Sequence, residues 1–391
     1  MIKIGFYGNL PAASVLPEEC IRPSHRKGSH PAPWIAALLP QLAKMGGYQL
    51  RMFLVQKAVL KHTVYERDGI EFEAIPYPGP ERWNARSLHL FKSLLVNKAV
   101  KEFDPDFIHA FGMETGAASV ALRTGYPVSC FLQGISEKLF PYYKQRPYVD
   151  RLVSRWNEGW AVKRVPWMVA ETEFAKDWAL LKNPDAHVDI IPHPLREVFF
   201  DLAAPRFERK IVSIGGLDDR KGMDTVIKAF ALLKDSKAHL SIVGGGPLRS
   251  DLEELACNLG VTDQVTFTGN LETEDVINEL NSASALVIAS RMDTSPNVVS
   301  EAHAVGIPVI GTRAGGIPEM INEGKDGYHV DIDDAEAMSK YMGILLSDTN
   351  VAAQLGLAGQ TKVRSLNDAQ AVGIAHHEYF QRIYRELTAV S

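Results

Sequence analysis

The sequence predicts an α/β fold of two successive domains, each built on a parallel sheet. Three observations predict it. The chain has 391 residues, more than one hydrophobic core usually organises. Short β-branched runs alternate with longer stretches that are apolar at helical spacing, the pattern of parallel strands joined by crossover helices. A proline- and charge-rich junction, from Pro192-His193-Pro194 to Pro205-Arg206-Phe207-Glu208-Arg209-Lys210, separates two such series.

In the first series, strands are expected over 3–7, 50–55, 70–75, 107–110, 128–132, 167–170 and 188–191. Trp34, Ile35, Leu38, Leu42 and Met45 recur at helical spacing between the first two, with Pro40 placed to kink that helix. In the second series, strands are expected over 211–214, 240–243, 264–267, 285–289 and 308–311. The tail carries Val372, Tyr379, Phe380, Ile383, Tyr384 and Leu387 as one apolar stripe, so it forms a helix that needs a surface to pack on. The expected domains are 1–198 together with the terminal helix, about 367–391, and 209–365, with a linker near 195–209.

Composition narrows the class. With 46% hydrophobic and 23% charged residues the chain is an ordinary globular protein. A net charge of −5 argues against a nucleic-acid protein, whose footprint is a strongly basic domain. Cys20, Cys130 and Cys257 are too scattered for a metal motif or a disulfide framework and read as reduced thiols. The start, Met1-Ile2-Lys3-Ile4-Gly5-Phe6, is strand-like and lacks the features of a signal peptide. No apolar run approaches the ~20 residues of a membrane span. A cytoplasmic protein is expected, with any membrane contact peripheral and at the inner face.

Ligands of open parallel sheets bind outside the carboxyl ends of the strands, so candidate site residues should follow strands. Ile214-Gly215-Gly216-Leu217-Asp218-Asp219-Arg220-Lys221-Gly222 leaves a strand, turns on glycines and presents two cations before a helix, which suits a diphosphate. A solvated turn would look the same. After the strand at 285–289, Ser295 followed by Pro296 reads as an N-cap with proline at the first helical position, whose free N–H groups favour an anion. Asp293 precedes that start and Glu301 lies eight residues on, about two turns up. Carboxylates accept from neighbouring hydroxyls, so one acid can hold a sugar and the other a ribose. The plainer alternative has Asp293 capping a turn and Glu301 paired at the surface.

The stretch from Asp293 to Gly316, running through Glu301-Ala302-His303-Ala304-Val305-Gly306-Ile307-Pro308, resembles the signature of retaining GT-B glycosyltransferases of family 4, the group 1 glycosyl transferases. Arg220-Lys221-Gly222, Val243-Gly244-Gly245-Gly246-Pro247 and Phe267-Thr268-Gly269-Asn270-Leu271 match the family's lysine-glycine element, second strand-turn and nucleotide-base loop, in the family's order over roughly 211–345. The resemblance implies a GT-B architecture of two Rossmann-like domains facing a central cleft, the terminal helix packing back on the first. By match, Glu301 binds ribose, Asp293 contacts the donor sugar, and Lys221, helped by Arg220, supports the leaving diphosphate. Gly215, Gly216, Thr294, Ser295, Pro296, Asn297, Val298, Gly269, Asn270 and Leu271 complete the donor site. Asp293 stands in place of the usual glutamate, Gly216 where many members carry arginine, and Gln133 where many carry histidine near the reacting sugar. His109 is a secondary catalytic candidate. On the acceptor side, Gly8-Asn9 and the loop with Gly28 and Ser29 follow the first strand. Arg151, Arg155, Lys163 and Arg164 interleave with Trp156, Trp160 and Trp167, either as a basic-aromatic patch for a lipid-linked acceptor or, as the favoured reading, as a core helix with a solvated face.

The implied activity is transfer of a hexose-type sugar from a UDP- or GDP-sugar to an acceptor hydroxyl with retention, in polysaccharide, glycolipid or other glycoconjugate synthesis. The donor is a substrate, no cofactor or metal is expected, and the partners are the nucleotide sugar and a saccharide or lipid-linked acceptor. The alternatives are a GT-B nucleotide-sugar epimerase and a non-catalytic nucleotide-sugar-binding subunit. A dinucleotide oxidoreductase is disfavoured, since Arg249 stands where G-x-G-x-x-G needs its third glycine.

Overall fold

The computed structural model describes residues 1–25 and 33–389. The chain forms two compact units: Met1–Pro194 with Ala369–Ser391, and Leu195–Asp368. In the first, eight strands form one sheet: β1 (Ile2–Gly8), β2 (Tyr48–Gln56), β3 (Thr63–Arg67), β4 (Ile70–Pro76), β5 (Phe107–Phe111), β6 (Val128–Phe131), β7 (Trp167–Ala170) and β8 (His187–Ile190). Their order is β3-β4-β2-β1-β5-β6-β7-β8, and every pairing is parallel except β3 with β4.

β1 and β5 are mostly apolar and largely buried on both faces, as central strands of a doubly wound sheet must be. The helix Pro33–Met45 covers one face, and the helices Leu90–Phe103 and Ala117–Leu122 cover the other. The first of these runs through Pro40 to Met45. The terminal helix Ala369–Ala389 buries Val372, Tyr379, Phe380 and Ile383 in the first core. At about 1.5–3 kcal/mol for a fully buried large apolar side chain, these four outweigh what the helix has from local propensity alone. Phe380 meets the rings of Phe6 and Phe107, Trp167 Nε1 donates to Glu386 at 2.6 Å, and Arg382 pairs with Asp189 at 2.5 Å.

The second unit has a six-stranded parallel sheet: β9 (Lys210–Ile214), β10 (His239–Val243), β11 (Val265–Gly269), β12 (Ala285–Ile288), β13 (Val309–Thr312) and β14 (Gly327–Val330), in the order β11-β10-β9-β12-β13-β14.

The structure departs from the sequence reading at four places. β3 lay outside the expected strands. It is a polar hairpin arm joined to β4 through Asp68 and Gly69, both at positive φ, so the Asp-Gly pair was its signal. β14 is only four residues and showed no hydrophobic run. The segment 195–209 is no free linker. Leu195 and Phe199 are buried with Val212 and Leu286, and the amides of Arg206 and Glu208 donate to the carbonyls of Asn281 and Ser282. The fourth departure is only from the less favoured reading of the basic-aromatic run, which does not form one patch. Trp167 sits in β7 against the terminal helix, Trp160 stacks with Arg123 and Arg164, and Trp156 alone of the three is largely exposed. Strand and helix periodicities aim these rings to different sides.

Candidate active site

Five loops follow the carboxyl ends of β9 to β13. Backbone hydrogen bonds lace them together: Gly215 N–H to Val243 O at 2.9 Å, Leu217 N–H to Gly245 O at 3.0 Å, Gly244 N–H to Gly269 O at 2.8 Å, Arg291 N–H to Arg220 O at 2.7 Å and Gly316 N–H to Asp293 O at 3.0 Å. Two glycines are required by close approach. Gly222 has φ +63° and its missing Cβ would lie 2.1 Å from Ala289 O. Gly315 has φ +57° and its missing Cβ would lie 1.9 Å from Asp293 O.

At the centre is a charge cluster. Asp293 Oδ2 accepts from Lys221 Nζ at 2.7 Å and Arg220 Nη1 at 3.0 Å, and Asp293 Oδ1 accepts from the Thr294 amide at 3.1 Å. The side chains are 13–16% exposed, so water screens the pairs little. Burial pushes the Asp293 carboxyl upward, but the charges of Lys221 and Arg220 outweigh it and hold the group below the ordinary carboxylate value. Asp218 aims the cations: its Oδ1 accepts from the amides of Arg220 and Lys221 at 3.0 and 3.2 Å. Gly215 leaves room for the lysine stem, since a Cβ there would meet Lys221 Cδ at 3.2 Å. Behind them Arg291 bridges Asp224 and Asp333 at 2.9 and 2.8 Å. Sequence reasoning missed this brace; its signal was an arginine adjoining the strand end, with Asp224 on the facing helix and Asp333 in the turn after β14.

The helix beside the cluster, Asn297–Val305, starts later than expected. Pro296 occupies its N-cap position in extended backbone, and Ser295 gives no cap; its hydroxyl lies 3.6 Å from Met320 Sδ. Helical backbone thus begins one residue after the proline rather than at it. The Asn297 and Val298 amides have no protein partner among the described residues. Glu301 is partly exposed on this helix, just over one turn from its start rather than two turns from Asp293. Asn270 lies beside Gly245, Thr294 is buried, and Leu271 packs onto the core. Around Gly216 there is space: the nearest atom to a Cβ there is Asp218 Oδ2 at 3.4 Å.

In the first unit the expected residues separate. His109 is fully buried, its Nδ1 bonded to Ser129 Oγ at 2.8 Å and its ring among Phe6, Phe111 and Phe380. That enclosure, not a ligand, accounts for the histidine, and burial drives its pKa well below the ordinary value. Gln133 is partly exposed, and its Oε1 converges with Glu114 Oε1 and Thr115 Oγ1 around Gly112. Gly8 passes Phe111 at a distance no Cβ would allow, and Asn9 lines a pocket of about 900 Å³ with Tyr7, Gln56, Glu114 and Thr115. Gly28 and Ser29 lie outside the described residues. Glu114 and Glu158 were missed. Burial pushes Glu114 up to about 8 and Glu158 up to about 7. The only signal was the position of Glu114 between two glycines after β5.

Residues 196–362 match the family described as glycosyl transferases group 1. This segment belongs to that family. The group 1 segment holds every element of the charge cluster. The chain is 35% identical over 159 residues to a GDP-mannose-dependent alpha-(1-6)-phosphatidylinositol monomannoside mannosyltransferase of Mycolicibacterium smegmatis, covering 38% of this chain and 42% of that protein. It is 32% identical over 174 residues to the lipopolysaccharide core biosynthesis glycosyltransferase LpsE of Rhizobium meliloti, 43% of this chain and 50% of that one. The matches thus span half or less of these relatives. Among solved structures, sucrose-phosphate synthase from Thermosynechococcus elongatus aligns with TM-score 0.79 and 19% identity over 100% of both chains. Anabaena HepE with UDP-glucose aligns with TM-score 0.72 and 14% identity over 98% of this chain and 100% of that one. The fold is therefore GT-B, with two parallel-sheet α/β domains and the terminal helix packed on the first. Among the described residues no helix is long and apolar enough to cross a membrane, and no group of His, Cys, Asp or Glu has a metal-site arrangement.

Proposed function

We propose that this protein is a retaining glycosyltransferase that moves a hexose-type sugar from a nucleoside diphosphate sugar, UDP- or GDP-linked, to an acceptor hydroxyl. The observation that carries the reading is Lys221 and Arg220 held together on Asp293 beside an open helix start in a group 1 segment. A diphosphate competes with Asp293 for both cations, which frees its carboxylate to accept from a sugar hydroxyl. The anomeric C–O bond breaks with its electron pair leaving on the diphosphate, stabilised by Lys221, Arg220 and the Asn297 and Val298 amides. The acceptor oxygen forms the new bond on the same face, and its proton passes to a phosphate oxygen. Glu301 holds the ribose, with Gly215, Gly216, Gly269, Asn270 and Leu271 around the nucleotide. No resident cofactor or metal takes part.

The acceptor belongs to the first unit, beside Asn9 and Gln133. The relatives named for a phosphatidylinositol mannoside and for lipopolysaccharide core support a glycolipid or polysaccharide acceptor handled at the inner face of the membrane. Trp83, Tyr148 and Trp156, each more than half exposed, lie on helices that also carry Arg82, Arg86 and Arg155, which supports peripheral contact. The test is thermal unfolding of native chain and Glu301→Ala with UDP, GDP, ADP and their sugars. A base-selective rise in Tm that Glu301→Ala abolishes is expected. No response of the native chain at millimolar nucleotide overturns the donor site and the transferase reading with it.

A further inference from the structure

A pocket of about 900 Å³ in the first unit is lined by both acids and cations. It opens over the carboxyl ends of β1, β2 and β5, lined there by Asn9, Lys57 and Thr115. From β1 the chain winds outward to β2 and β4, then returns to β5 on the other side of β1. The pocket therefore sits at the reversal of strand order, where open α/β sheets hold their ligands.

Its acids are already committed. Glu81 pairs with Lys92 at 2.9 Å and Asp150 with Arg86 at 2.6 Å. Glu114 is held protonated near neutral pH by burial, and its Oε2 is shut from solvent. Lys92 is thereby committed too, but three other lining cations are not, among the described residues. Lys57, Arg82 and Arg146 reach the same pocket from three separate elements, and none has a carboxylate partner among the described residues. Arg146 lies over the Tyr143 ring at 4.4 Å, which orients the guanidinium while leaving its N–H fork open. A fourth donor is fixed nearby. The buried Asn84 donates from Nδ2 to His89 Nδ1 at 3.0 Å, so the neutral imidazole carries its proton on Nε2. A neutral sugar is recognised by free carboxylates and amides, and this pocket offers instead three cations with no carboxylate partner among the described residues.

We propose that the pocket binds an anionic, phosphate-bearing acceptor, with Lys57, Arg82 and Arg146 on the phosphate and His89 Nε2 donating beside them. This deepens the transferase reading above and rests on it. Phosphate esters pair with arginine forks through charge-assisted hydrogen bonds. The same chemistry is offered by a phospholipid headgroup and by a soluble phosphate ester.

The experiment uses the full chain with saturating UDP or GDP, so that Lys221 and Arg220 are occupied. Glycerol 3-phosphate and glycerol are compared by thermal shift and calorimetry, in native chain and in Lys57→Ala/Arg146→Ala. Both substituted residues are exposed, and a native urea midpoint without ligand, with an unchanged nucleotide response, certifies that both units of the variant are folded. Glycerol 3-phosphate but not glycerol should bind, and the double variant should weaken it by about tenfold or more. Equal binding of the two polyols, or an unchanged affinity in the variant, overturns the proposal. Vesicles of phosphatidylcholine with and without phosphatidylglycerol then name the source. Capture by the anionic vesicles, competed by glycerol 3-phosphate, assigns a lipid headgroup; binding of the soluble ester without vesicle capture assigns a soluble acceptor. Failure of the nucleotides to shift the native chain sinks the transferase reading separately, and the phosphate arm can still be read.

Discussion

The two units carry polar groups at the same place, the carboxyl ends of their strands, but set the charges by different means. In the second, pairing decides: Asp293 holds Lys221 and Arg220, and Arg291 holds Asp224 and Asp333. In the first, burial decides. Glu114 and Glu158 are raised towards neutrality, and His89 is lowered to about 4 by burial together with the charges of Lys92 and Arg123. A paired site is pre-formed for a ligand that can exchange partners with it, and a desolvated site is selective through what it refuses to ionise.

The largest effect should come from breaking the paired site. Lys221→Ala removes one of two cations facing the leaving diphosphate, so release of nucleoside diphosphate should fall roughly 10²–10³-fold, the scale for one oxyanion-stabilising donor. Asp293 then keeps only Arg220, and a stability loss of about 1–3 kcal/mol should appear in urea unfolding. Turnover within threefold of native would remove Lys221 from the chemistry.

Next in size is the backbone that holds the pair. Gly315→Ala places a Cβ against Asp293 O at positive φ, and a loss of about 2 kcal/mol or more is expected. Gly125 is also at positive φ but has nothing within 4 Å, so Gly125→Ala isolates the backbone cost alone, about 1 kcal/mol. Gly216→Arg should cost no more than about 0.5 kcal/mol, because the position is open. It should also tighten nucleotide binding by adding a cation beside the diphosphate. Equal losses in the two alanine variants would show that the contact with Asp293 is unimportant.

How much of this was legible follows from the same contrast. Most strands of both sheets were readable because buried parallel strands tend to continuous apolar runs, as in Ala285 to Ile288 and Trp167 to Ala170. Lys221, Arg220 and Asp293 were readable because glycines and cations at strand ends are local patterns. Two things were hidden. Polar edge elements such as β3 show no periodicity, and their turn chemistry has to be read instead. Burial of a polar residue also depends on elements far away in sequence. His109 reads like a site residue at a strand end, yet it lies against Phe380, supplied by the terminal helix. Glu114 reads like a surface acid and is desolvated beneath its own loop.

The smallest effect is the one that separates the two units by pH. Glu114 is raised in the folded state from an ordinary value of 4.5 to about 8, and Glu158 to about 7. A raised carboxyl contributes stability fully present below 4.5 that is lost as pH climbs towards 8. Lowered histidines act with the opposite sign. His376 in the first unit and His303 in the second are depressed to about 4, so their contribution is present above 6.5 and lost as pH falls towards 4. The acid limb therefore belongs to both units, and these two carboxyls place the alkaline limb in the first. Glu114→Gln should leave the urea midpoint near its native value at pH 5 and raise it above native at pH 8. It should also leave the nucleotide response of the second unit unchanged. A midpoint that tracks native across this range would mean that Glu114 ionises freely, and the pocket beside it would then carry one more negative charge than its phosphate-binding role allows.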